Sequence, residues 1–171
     1  MYSKVKVFGH PVHPMLVAFP VAAYTGTLAS FAVYSVNDHP FWLNAAIALN
    51  VAGVCSAALA ALPGLVDWLF GIPLRSGAKA VGLGHALFNV AALGLFLASI
   101  ARYGGDWNAG SADPTFGLAL SAAGVAATLL AGALGWKLVQ TYHVGIRLTP
   151  AQEQDEAVVQ AIRPMEPRRS A

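Results

Sequence analysis

Four long apolar runs constrain this chain more than any other feature. They lie at about Pro14 to Val36, Phe41 to Val66, Ala80 to Ile100 and Phe116 to Val139. Each reaches the roughly 20 residues that a helix needs to cross a hydrocarbon core of about 30 Å. None carries the polar stripe of a helix on the surface of a soluble bundle. With 57% hydrophobic and 11% charged residues in a chain of 171, there is too little charge for an ordinary soluble surface. The expected fold is therefore all-α: an integral membrane four-helix bundle over residues 1–148, with a tail at 149–171. Thr149-Pro150-Ala151-Gln152 reads as a capping box with proline in the first helical position, so a short helix is expected over 150–162. The residues from Arg163 to Ala171 read as a flexible basic end.

The placement of charge orients the spans. Lys4, Lys6, Arg75, Lys79, Lys137, Arg147, Arg163, Arg168 and Arg169 fall at the N-terminus, in the loop between spans two and three, or at the C-terminal end. Only Arg102 falls on the other side. The positive-inside rule then predicts a multi-pass protein with both termini and the tail helix in the cytoplasm. The lipid bilayer is its first partner. The cations are scattered and not interleaved with aromatics along a stripe, which argues against nucleic acid. The single cysteine, Cys55, lies inside the second span and reads as a packing residue.

Two small-residue stripes suggest where helices meet closely. Asn50, Gly53, Ala57, Ala60, Gly64 and Asp67 recur at helical spacing in span two, and Gly117, Ser121, Gly124, Thr128, Ala131 and Gly135 in span four. Read from sequence, both are packing surfaces without chemistry, and self-association is left open. Pro20 is expected to kink the first span. His39, in the turn Asn37-Asp38-His39-Pro40, reads as a turn residue.

The chemistry points to histidine. Gly9-His10-Pro11-Val12-His13-Pro14 stands directly before the first apolar run, and each imidazole precedes a proline. A residue before proline is biased toward extended backbone, so both are expected off the helix face, with His13 as N-cap of the first span. His85 is expected about 7 Å into the third span, with Asn89 one turn on. Odd spans start in the cytoplasm and even spans end there. His10, His13, Asp67, His85, Asn89, Tyr142, His143 and Arg147 therefore map to one end of the bundle. Ionisable groups within spans mark a functional site by default. Gly9-His10 and Gly84-His85 both open odd-numbered spans, which would suit a two-hairpin repeat.

Three readings of this cluster are open. Haem b would take His13 and His85 as axial ligands, with His10 beside them, Arg147 at the rim for the propionates, and Phe8, Phe19, Phe88 and Trp68 as apolar walls. A bare transition metal would draw on His10, His13, His85, Asp67 and His143 as a mixed nitrogen and oxygen set, which suits divalent-metal binding or transport. Asn89 and Tyr142 would support either set through hydrogen bonds, and Asp67 could orient a ligating imidazole. In the third reading the cluster only locks the bundle or binds a partner. There is no nucleophile beside a base, no P-loop and no dinucleotide fingerprint. A binding or electron-transfer protein is expected rather than an enzyme.

His10-Pro11-Val12-His13-Pro14-Met15-Leu16-Val17, Pro63-Gly64-Leu65-Val66-Asp67, His85, Gly135-Trp136 and His143-Val144-Gly145 together carry a resemblance. From about Phe8 to Leu148 the chain resembles the bacterial four-span membrane family known as domain of unknown function 2231. Family members carry a Gly pair where this chain has Trp136-Lys137-Leu138-Val139. The resemblance implies a bacterial inner membrane. It also implies redox work, because some relatives are joined to, or lie beside, Rieske iron–sulfur or cytochrome modules, which makes such a module the expected redox partner.

Overall fold

The computed structural model describes residues 3–162. The chain opens with an antiparallel hairpin of β1 (Lys6–Val7) and β2 (His10–Pro11). Phe8 and Gly9 form its turn at φ 49° and 83°, the left-handed pair that a tight hairpin requires. Then come α1 (Val12–Leu16) with α2 (Ala18–Asn37), α3 (Pro40–Gly71), α4 (Gly77–Tyr103) and α5 (Thr115–Gln140). These make four spans long and apolar enough to cross a membrane. Last is α6 (Pro150–Ile162). The Thr149 amide and hydroxyl lie 3.0 and 3.1 Å from Gln152 Oε1, forming the expected cap. The basic end at 163–171 lies outside the described residues.

The spans differ from the sequence reading at their ends. α3 runs on through Trp68 to Gly71 because the charge of Asp67 does not stop an apolar helix. α4 starts at Gly77, where Ser76 caps it by accepting the Lys79 amide at 3.3 Å. His85 therefore sits about 12 Å into the helix, deeper than expected. The first span is interrupted at Val17, in the turn before Pro20. Proline removes the bond to the carbonyl four residues earlier, and here that carbonyl is Leu16. His39 is the N-cap of α3, its Nδ1 accepting the Phe41 amide at 3.2 Å.

Each span packs most closely on its hairpin partner, α2 on α3 and α4 on α5, and the hairpins meet through α2–α5 and α3–α4. α2 and α4 therefore face each other diagonally. In lipid, apolar burial does not drive helices together; close packing does. Glycines allow it here. A Cβ at Gly53 would fall 2.6 Å from the Tyr24 ring, at Gly117 2.4 Å from Phe31, and at Gly124 2.5 Å from Phe96. Across the diagonal Tyr24 stacks on Phe96 at 3.7 Å, and Phe31 meets Tyr103 at 4.9 Å. Phe31, Tyr34, Leu43, Ala46, Ile47 and Tyr103 fill the end of the bundle away from the β-hairpin. The other end is hollow.

Candidate functional site

The hollow end holds a cavity of about 380 Å³ with mainly apolar walls. His13 and His85 enter it from α1 and α4, their ring centroids 6.0 Å apart and their planes at 87°. His13 lies in the first turn of α1, after the N-cap Pro11. It is thus helical and not the extended N-cap expected. A first-turn amide has no helical acceptor, so Pro14 there disturbs nothing.

Each imidazole is anchored the same way. His13 Nδ1 lies 2.8 Å from the Ala60 carbonyl on α3. His85 Nδ1 lies 2.8 Å from the Ala131 carbonyl on α5. A carbonyl only accepts, so both Nδ1 atoms carry a proton, and in the neutral ring that tautomer leaves Nε2 with the lone pair. Tying Nδ1 to the hairpin partner turns the Nε2 edge away from that helix.

Gly64 and Gly135 stand one turn after those carbonyls. A Cβ at Gly64 would fall 2.7 Å from His13 Nδ1, and one at Gly135 3.2 Å from His85 Cε1. The rings lie flat against backbone where any other residue would hold them off. Asn89 Nδ2 lies 3.1 Å from His85 Nε2 and 2.9 Å from the His85 carbonyl. It thus donates to the one imidazole edge that Ala131 leaves open.

The other expected residues are placed elsewhere. His10 is exposed on β2, paired with Val7, because the chain turns back before it reaches the bundle. His143 has φ 52° in the turn after α5, and its Nε2 lies 3.2 Å from Glu156 of α6. Asp67 borders the cavity, but its Oδ1 accepts the Lys4 and Val5 amides at 2.5 and 3.2 Å. It pins the segment just before β1 instead of orienting an imidazole. The Tyr142 hydroxyl rests against Gly77, and Arg147 lies exposed outside the cavity walls. Of the four aromatics expected around the site, Trp68 lines it, whereas Phe8 is 98% and Phe19 64% exposed. Among the described residues, no group of three or more His, Cys, Asp or Glu side chains is placed to hold a metal ion.

Lys79 packs against Trp68, which lines the cavity. It is buried, its Nζ lies over the Trp68 ring at 4.3 Å, and it donates to the carbonyls of Trp68, Leu69 and Ile72 at the end of α3. Trp68 Nε1 in turn donates to the Lys79 carbonyl at 3.1 Å. A lysine that reads as a boundary charge is thus the cap of α3. Lys79→Met keeps the stem but leaves these carbonyls unsatisfied. It is expected to destabilise the protein by about 1–3 kcal/mol in thermal unfolding.

A family model described as predicted membrane protein (DUF2231) matches residues 9–148. No curated protein and no solved structure matches the chain.

Proposed function

This chain belongs to the DUF2231 family of predicted membrane proteins, and from that premise we propose that His13 and His85 are the axial ligands of a haem b that carries electrons. The observation that carries the reading is the matched anchoring of the two rings. An imidazole that binds metal through one nitrogen characteristically donates the other N–H to a carbonyl or carboxylate. Both rings do so, and neither needs a new tautomer to bind.

The number of donors favours haem over a bare ion. Structural and transport sites take three or four protein ligands, whereas haem iron needs only two beyond the macrocycle. Two imidazoles with ring centroids 6.0 Å apart, among apolar walls, suit that arrangement. Bound haem supplies one-electron chemistry at a potential set by its ligands and surroundings. The protein's part is to hold the imidazoles, orient their planes and exclude water.

The cations Lys4, Lys6, Arg75 and Arg147 at this end support a cytoplasmic site in a bacterial inner membrane, with both termini inside. The electron partner in this reading is another redox module, of Rieske or cytochrome type. The test is the visible spectrum of the full-length protein purified from membranes, before and after dithionite. A Soret band that sharpens and shifts on reduction is expected. A colourless protein with stoichiometric metal would move the assignment to divalent-metal binding or transport. If both are missing, the paired rings serve packing or partner binding.

A further inference from the structure

The two half-sites are copies of each other. The shift in sequence that takes His13 to His85 also takes Tyr24 to Phe96, Thr27 to Ser99 and Phe31 to Tyr103. A shift one residue shorter takes Gly53 to Gly124, Ala60 to Ala131 and Gly64 to Gly135. The His-to-carbonyl separations, 47 and 46 residues, differ by that one residue. Apart from Thr27 and Ser99, these are the residues that meet across the diagonal or support the rings that do. The two hairpins therefore repeat one pattern of residues around the paired rings. His13 and not His10 is the counterpart of His85, so the repeat lies three residues from where the glycine–histidine pairs place it.

One copy serves as the control for the other. The counterpart of Asn89 is Val17, which also lines the cavity. The fold therefore accepts an apolar side chain at this position. Asn89 lies about 18 Å along α4 on the cavity wall, a depth in a span at which an unpaired carboxamide costs free energy. What the asparagine adds, and valine does not, is the 3.1 Å contact with His85 Nε2. That is the same lone pair that a metal would need.

We propose that Asn89 is a latch on His85: it occupies the Nε2 edge in the cofactor-free protein and must be displaced before His85 can ligate a metal, while His13, facing Val17, carries no such latch. Asn89 acts as a positioning residue that makes two duplicated ligands inequivalent. This rests on the haem reading for its consequence but not for its contact, so the two can fail separately.

The test uses the full-length protein in lipid nanodiscs, with nitrogen-15 labelled histidine and haemin as the probe. Without haemin, the His85 Nε2 resonance of the wild type is expected at a hydrogen-bonded position, and in Asn89→Val it moves to that of a free acceptor. Haemin affinity should rise about five- to tenfold in Asn89→Val, the effect of losing one competing hydrogen bond. The exchange variant Val17→Asn with Asn89→Val should return affinity to the wild-type value and transfer the bonded resonance from His85 to His13. Asn89→Ala, with a smaller side chain, should match Asn89→Val in direction. An unchanged His85 resonance in Asn89→Val, or a loss of haemin affinity there, overturns the latch. If no variant binds haemin, the haem reading falls and the resonances alone decide the contact.

Discussion

In the haem reading, His13→Ala is expected to abolish cofactor binding. Removing a hydrogen-bond partner behind a metal ligand weakens binding by about 10–100-fold, so removing the ligand itself should exceed that range. His85→Ala should do the same, because the rings are equivalent in anchoring and their centroids lie 6.0 Å apart. His10→Ala and His143→Ala should leave haem content at the wild-type level. His10 is on the exposed hairpin and His143 is engaged with Glu156. Haem per protein in purified variants, read from the Soret band against protein absorbance, checks all four.

The second large effect is steric. Gly64→Ala places a methyl 2.7 Å from His13 Nδ1, and the ring must leave the Ala60 carbonyl to admit it. Overpacking of this kind costs about 1–3 kcal/mol of stability, and the loss of the Nδ1 anchor should weaken haem by a further 10–100-fold, roughly. Gly135→Ala is milder, because its methyl falls 3.2 Å from His85 Cε1 and a small shift relieves it. Haem titration and thermal unfolding should rank the pair in that order.

The four spans were legible because apolar length is written directly into the letters. The meeting of His13 and His85 was legible through topology: odd spans begin at the end where even spans finish. The wider cluster was not. His10 is lost to β2 because the Phe8–Gly9 turn reverses the chain, and a turn with phenylalanine in a left-handed conformation is hard to read from composition. Asp67 looked like a partner for an imidazole, yet two backbone amides of the segment just before β1 claim it. The partners the rings do have are the carbonyls of Ala60 and Ala131, and no letter marks a carbonyl.

The two small-residue stripes do more than pack helices together. Gly53, Ala60 and Gly64 in one, and Gly124, Ala131 and Gly135 in the other, are the same stripe repeated. Each supplies an aromatic ring's floor, an imidazole's acceptor and that imidazole's floor. The stripes repeat at a shift one residue shorter than the one that takes His13 to His85 and Val17 to Asn89, so the two helix pairs match only with that offset.

The low-temperature electron paramagnetic resonance of the oxidised full-length protein tests the shared centre most directly. With His13 and His85 on one iron and their planes near 87°, a low-spin ferric signal of large anisotropy is expected, replaced by a high-spin signal in His13→Ala and in His85→Ala wherever haem is retained. A low-spin signal that persists unchanged in both variants would place the iron on other ligands and contradict the account.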